Sequence, residues 1–352
     1  MTSPVASLLT RRRVTAFLLL GLAGLAFTQW RAAIKRNRSI PDEPFRIAGN
    51  LYYVGHTGVT AFLLAGPEGH ILIDGGYPEH GPLIIESIAK LGFDVRDVRM
   101  LLNSHAHSDH AGGLRDLQEA SGAELWVSRG DSAVLADGGR GDKALGPARF
   151  AWYLGALRFR APRIDRTFAD GDTVRLGPLR AVAHVTPGHT RGCTSWAIPL
   201  TEGDVDLLAV NVCSLTLFPF VSLDSDAYPE IRADFETSFE KLRSLSADIF
   251  LASHASWFGL HGKNRRRRET GDSIAPFIDP DGYRAFITRA EQIYLERVFA
   301  RLTGRSPTHF CGRQRRRAAP SGWGAQSPPT ARIGRLPTAR FAPRSQVDGC
   351  AS

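Results

Sequence analysis

Strand-length apolar segments at residues 50–54, 59–64 and 70–74, with Pro67-Glu68-Gly69 as a turn, predict a β-meander near the start of the chain. A helix over residues 82–91 follows, with Leu83, Ile84, Ile88 and Leu91 forming its apolar stripe. The run Val98–Leu102 reads as a buried strand. A helix at 113–121, a strand at 123–127 and a helix at 131–136 complete the first half. The pattern repeats from residue 166 to 249, with strands at 179–185, 206–213 and 248–252 and a helix near 231–242. A last helix over 281–302 packs outside. Two similar halves of mixed α and β units predict an α/β fold, a two-sheet sandwich flanked by helices and built as one domain.

The chemistry concentrates at one point. Residues 105–110 read His-Ala-His-Ser-Asp-His and follow directly on the strand Val98–Leu102. Imidazoles and carboxylates are ligands for zinc-like cations. In an extended chain His105, His107 and Asp109 would project from one edge, with His110 reaching a second position beside it. Four ligands this close cannot all converge on one ion, so two metals side by side are expected. Partners must come from elsewhere. His189, in Thr186-Pro-Gly-His-Thr190, and His254, in Ser253-His-Ala255, each lie just past a predicted strand, at the edge where such sheets collect functional residues. The expected sets are His105, His107 and His189 on one ion, and Asp109, His110 and His254 on the other.

These residues, with Ile71-Leu-Ile-Asp-Gly-Gly76 upstream and the Thr-Pro-Gly-His turn, resemble the metallo-β-lactamase superfamily. Further segments are similar to its third, His-rich subclass: 187–196, 211–216, 248–263 and 276–283. The resemblance covers roughly residues 43–304. It implies the αββα four-layer sandwich, two zinc ions per chain, and a hydrolase that opens the β-lactam ring by attack of a metal-bridging hydroxide, conferring antibiotic resistance. The metals would lower the pKa of water and polarise the carbonyl. Asp109 would act as a ligand and also orient the nucleophile or pass a proton, and no covalent acyl-enzyme is expected. It also implies that the hydroxyls of Ser214 and Thr216 hold a substrate carboxylate. Asp74, in its Asp-Gly-Gly turn, would buttress a ligand from behind. Related lactonases and thioester hydrolases carry a bridging Asp on a later strand, where this chain has Asn211 or Val212. A lactonase or thioester hydrolase on the same scaffold is therefore the second expectation.

The net charge of +9 suggests nucleic acid until its distribution is seen. Residues 1–40 hold seven basic residues and no acids, and residues 305–352 hold nine Arg and one Asp, which leaves 41–304 at −6. No nucleic-acid partner is expected. Arg11-Arg12-Arg13 followed by an uncharged run over residues 14–27 reads as an export signal, too short for the ~20 residues of a membrane span. Residues 1–40 are thus a signal or an uncleaved anchor, 41–304 a catalytic domain facing the periplasm, and 305–352 an Arg/Pro-rich tail expected to be disordered. The anchor is the one membrane attachment expected, and the chain is expected to be a monomer.

Other features admit two readings. Cys193 is a thiolate ligand or, like Cys213, a small buried apolar group, and no pairing can be deduced among the four cysteines. Trp152 or Tyr153 lines the cleft or the core. Arg265–Arg268 supply positive potential for an anionic substrate or form a solvated run. His56, His70, His80, His184 and His261 lack ligand spacing and are expected to be structural or exposed.

Overall fold

The computed structural model describes residues 42–304 except 143–144, 147–149, 154, 156 and 272–273, together with residues 24–25, 28–29, 32 and 40. The expected export segment, those few residues aside, and the expected disordered tail lie outside the described residues. Among the described residues no helix is long and apolar enough to cross a membrane. The chain divides into two compact units, residues 1–291 and 292–352. In the second, the described residues are the last turns of a helix that ends at Thr303, and Gly304.

The first unit contains two sheets. One has seven strands in sequence order: β1 (Phe45–Ala48), β2 (Leu51–Tyr53), β3 (Phe62–Gly66), β4 (Gly69–Ile73), β5 (Val98–Leu102), β6 (Glu124–Ser128) and β7 (Arg166–Phe168). Pairing is antiparallel through β4 and parallel from β4 to β7. The second has β8 (Thr173–Leu176), β9 (Leu179–Val185), β10 (Thr194–Glu202), β11 (Val205–Val212) and β12 (Ile249–Ala252), antiparallel except for the β11–β12 pair. Parallel neighbours need crossovers. Helix α1 (Gly81–Lys90) supplies the β4–β5 connection; α2 (Ser108–Ala111) and α3 (Leu114–Ser121) lie between β5 and β6. Helices α4 (Ser132–Ala136) and α5 (Phe150–Tyr153) precede β7, and α6 (Ile231–Ser244) carries β11 to β12. Helix α7 (Leu260–Thr270) and α8 (Pro280–Thr303) follow. The result is the αββα sandwich.

The helix pattern of the sequence has a direct physical outcome. Ile84 and Ile88 of α1 and Leu114 and Leu117 of α3 are fully buried with Leu72, Leu101 and Leu125 of the sheet. Each such side chain contributes roughly 1.5–3 kcal/mol by leaving water. Between the sheets, Trp196 of β10 meets Phe168 of β7, ring centroids 5.0 Å apart. The differences from expectation are local. Residues 59–61 are not strand: the 54–61 segment closes as a loop through Val54 N–H to Ala61 O and His56 N–H to Val59 O, and Val59 bridges to His254. The aromatic segment Phe150–Tyr153 is a short helix, and Arg265–Arg268 lie within α7, where Arg267 stacks on Phe45 at 4.6 Å. The C-terminal ends of β4, β5, β9, β11 and β12 lead into the segments that carry Asp74, His105–His110, His189, Ser214 and His254.

Candidate metal centre and cleft

The cluster after β5 is not extended throughout. Residues 108–111 form one helical turn with His107 in extended conformation before it (φ −83°, ψ 153°), so Asp109 and His110 leave the chain together. This turn fixes the division of ligands, which alternation alone would have drawn differently for Asp109. The two glycines that follow are required. A Cβ at Gly112 would lie 2.4 Å from Pro78 N, and one at Gly113 would lie 2.3 Å from Gly75 O. The Asp74 turn is therefore pressed against the ligand helix, with Gly75 N–H donating to His110 O at 2.8 Å.

The structure brings the six sequence-predicted donors together as two adjacent triads. One donor atom from each of His105, His107 and His189 lies within 4.8 Å of the other two. In the second triad His110 Nε2, His254 Nε2 and Asp109 Oδ2 are separated by 3.4, 3.4 and 3.5 Å. A tetrahedral ion about 2.1 Å from each donor needs donors about 3.4 Å apart, so this second set fits zinc as it stands. Rings of His105 and His110 are 4.3 Å apart between centroids, which puts the two triads side by side.

The other ring nitrogens are held from behind, which fixes which nitrogen faces forward. His110 Nδ1 contacts Asp74 Oδ2 at 3.3 Å, His189 Nδ1 donates to Thr216 O at 2.8 Å, and His107 Nε2 meets Asp142 Oδ2 at 2.7 Å. Asp74, fully buried and in the left-handed region at φ 66°, also accepts Asn103 Nδ2–H, Ser104 N–H and Ser104 Oγ–H. It thus holds the stretch after β5 at two points, at Asn103–Ser104 and at His110. Sequence reasoning missed Asp142 and Asp131. Asp131 Oδ2 accepts Ala106 N–H and Thr190 Oγ1–H, and its Oδ1 accepts Gly192 N–H. No local signal marks either residue, because each acts on chain 25 to 61 positions away.

The electrostatics suit a cation. Burial pushes the His105 and His189 imidazoles down, His189 to about 3, and neighbouring histidine charge pushes the same way. Burial and His110 lower His254 to about 4. These three are neutral with free lone pairs, the ligand form of imidazole. Asp109 is held far below the usual carboxylate range, because His110 and His107 outweigh the effect of burial. His110 is driven up despite burial, because Asp109 and Asp74 flank it. The ring sits between two carboxylates that call for positive charge, which a metal ion would supply in place of the proton.

A cleft of about 370 Å³ opens over the triads, lined by Tyr77, His107, Asp109, Leu145, Leu157, His189, Ser214, Thr216, Phe218, His254 and Trp257, with Ser108. Ser214 and Thr216 both reach it. Thr216 N–H donates to Ser214 Oγ at 3.2 Å, and among the described residues no hydrogen bond from the Ser214 hydroxyl is seen, so its proton can turn to a ligand. Trp152 and Tyr153 do not line it: Trp152 donates to Gly138 O and is flanked by Arg140 and Arg158. Phe218 stands instead over His189 at 5.1 Å. Asn211 is fully buried and short of the cleft, so the β11-end residue that faces the triads is Ser214, a hydroxyl and not a carboxylate.

The cysteines correct the reading of Cys193 and Cys213 as unpaired filling. They form a disulfide with Cα atoms 5.9 Å apart. Cys193 is four residues beyond His189, and Cys213 Sγ lies 3.6 Å from His105 Nδ1, so the bond ties the His189 loop to the β11 end behind His105. His56, His70 and His80 are buried outside the triads, His184 is half-buried on β9, and His261 Nε2 donates to Thr57 O, all as expected.

Comparison with known proteins points one way for the fold and two ways for the reaction. A family model described as the metallo-beta-lactamase superfamily matches residues 54–202. The native FEZ-1 metallo-β-lactamase from Legionella gormanii is 36% identical, with 75% of this chain and 98% of that one covered and a TM-score of 0.71. BJP-1, a subclass B3 metallo-β-lactamase of Bradyrhizobium japonicum, is 31% identical, covering 76% of this chain and 97% of that one at a TM-score of 0.67. The hydroxyacylglutathione hydrolase of Rhodospirillum rubrum is 29% identical over 109 residues, 31% of each chain. The match thus spans about a third of that curated relative's length.

Proposed function

The chain belongs to the metallo-β-lactamase superfamily, close to subclass B3, and from that membership we propose that it is an exported, zinc-dependent hydrolase that opens the β-lactam ring. The observation that carries the reading is the extent of the likeness. FEZ-1 and BJP-1 are 36% and 31% identical to this chain and are matched over 98% and 97% of their own length. The six donors fit two zinc ions, one held by His105, His107 and His189 and the other by Asp109, His110 and His254. Zinc bound there would make hydroxide available near neutral pH and polarise a carbonyl oxygen.

The chain's own residues supply the rest. Ser214 donates its free proton, with Thr216 beside it, to the carboxylate of a β-lactam. Leu145, Leu157, Phe218 and Trp257 exclude water around the reacting carbonyl. Asp109, held ionised, would orient the nucleophile or pass a proton. Thr216 O and Asp142 fix the His189 and His107 rings, so the floor of the cleft needs little rearrangement as charge develops. No side-chain nucleophile stands in this scheme, and no acyl-enzyme is expected.

Export to the periplasm rests on the Arg11-Arg12-Arg13 segment and agrees with a disulfide, which persists in oxidising compartments. The protein would act there as a monomer, free or held by an uncleaved N-terminal anchor, and would confer antibiotic resistance.

A second reading, thioester hydrolysis, is favoured by one observation: the curated sequence relatives include hydroxyacylglutathione hydrolases. Side-by-side assays of purified protein with a carbapenem, a glutathione thioester and an acyl-homoserine lactone separate the readings. The expected result is highest kcat/KM on the carbapenem, abolished by a chelator and restored by zinc. Preference for the thioester or lactone would refute the β-lactamase reading and leave the fold standing.

A further inference from the structure

Asp131 belongs to neither donor triad, yet its carboxylate is committed to the chain segments that carry one of them. It occupies the position just before α4, where a carboxylate ordinarily caps a helix, but makes no capping bond. Both oxygens turn away. Oδ2 accepts Ala106 N–H at 2.9 Å and Thr190 Oγ1–H at 2.8 Å, and Oδ1 accepts Gly192 N–H at 2.8 Å. Ala106 lies between His105 and His107, and Thr190 follows His189. The group is 2% exposed. The backbones are equally close: a Cβ on Gly192 would lie 2.0 Å from Ser128 Oγ and 2.7 Å from Asp131 Cβ, and one on Gly130 would lie 2.5 Å from Arg191 O.

We infer that Asp131 is a positioning residue that sets the metal affinity of the His105–His107–His189 triad, by locking the two ligand loops of that triad to one another. His105 and His107 leave β5 and His189 leaves β9, strands of different sheets, so the register between them is not set by strand pairing. Thr194 N–H donates to Ser104 O at 2.8 Å, and the buried Asp131 carboxylate, bonded to both loops next to the ligands themselves, restricts that freedom further before any ion arrives. The ion then meets donors already gathered, and the entropy of ordering them is spent in folding. None of the three bonds is made to Asp109, His110 or His254 or to a residue next to them, so the effect falls first on one triad.

The inference rests on the zinc reading of the triad and not on the identity of the substrate. Its test therefore reads metal binding. In a His254→Ala background one ion should remain, in the three-histidine triad. Asp131→Asn keeps the shape but turns an amide donor toward one of the three donors it must accept. Zinc affinity, by competition with a chromophoric chelator, should weaken by roughly 10–100-fold on adding Asp131→Asn to that background. Cobalt(II) substituted there should show a changed absorption spectrum. A role in general stability alone would lower the unfolding midpoint yet leave the affinity of the folded protein within about twofold, and that result would overturn the inference. Thr190→Val, which removes one bond of three, decides the matter if Asp131→Asn does not fold: several-fold weakening supports the inference and unchanged affinity overturns it. A His254→Ala protein that binds no ion at all would overturn the metal reading and this inference together.

Discussion

Removing the Cys193–Cys213 disulfide should weaken the fold and the centre together. The bond closes a loop across a sequence separation of 20. Without it the unfolded chain regains loop freedom worth about 3 kcal/mol at 25 °C. Both sulfurs are fully buried, Cys193 Sγ near Ser214 O and Cys213 Sγ against Ser104 O and His105 Nδ1, so no compensating hydration is available in the folded state. The Cys193→Ala, Cys213→Ala double variant avoids a buried, unpaired hydroxyl and isolates the crosslink. Urea unfolding of the zinc-loaded protein should show a loss of about 3 kcal/mol. The same variant should bind zinc less tightly, because the His189 loop is then tied down from one side only. Alkylation under denaturing conditions, before and after reduction, with mass mapping of residues 193 and 213, establishes the bond in the starting protein. Free thiols at both positions, or a stability change below about 1 kcal/mol with the bond confirmed, would refute the reasoning.

Two further outcomes follow from the site and the core. His189→Ala and His254→Ala should each reduce zinc from two ions to about one and remove most turnover, while His184→Ala, half-buried on β9, should leave both nearly intact; metal analysis of dialysed protein decides, and loss of an ion in His184→Ala alone would refute the assignment. His56 is buried, stacked on His80 at 3.9 Å, with neither ring nitrogen hydrogen-bonded among the described residues, and burial lowers its pKa from 6.5 to about 4. Between those values the unfolded chain binds a proton that the folded chain refuses, so this contribution is intact above pH 6.5 and is lost as pH falls toward 4, on the order of 3 kcal/mol in all. The stability difference between wild type and His56→Phe should shift across that window by this amount; parallel pH profiles would exclude it.

The donor residues were legible in the sequence because their chemistry is carried by side-chain identity at short spacing. Three imidazoles and a carboxylate within six residues at a strand end form a dense set of metal donors, and His189 and His254 stand out by the same strand-end position. Periodicity likewise exposed α1, whose buried Ile84 and Ile88 recur at helical spacing, and the short apolar run exposed β5. Strand alternation alone would project Asp109 from the same edge as His105 and His107, although the expected ligand set already grouped it with His110 and His254. The helical turn Ser108–Ala111, held by the close approach of the Asp74 turn to Gly112 and Gly113, is what places it there.

What the tertiary structure alone decided is long-range and carries no local pattern. Cys193 and Cys213 meet because β10 and β11 pair antiparallel and bring Cys193 and Cys213, at the near ends of the two flanking loops, together. Asp131 and Asp142 read in sequence as ordinary acids beside a short helix. Their partners come from the β5 and β9 ends, and no periodicity encodes a carboxylate that turns away from its own helix to accept hydrogen bonds across the interface of two sheets. The cleft wall was decided in the same way: Trp152 turns its indole to Gly138 O, and Phe218 takes the place over His189, because packing between loops, not the aromatic content of either, determines which ring faces the cleft.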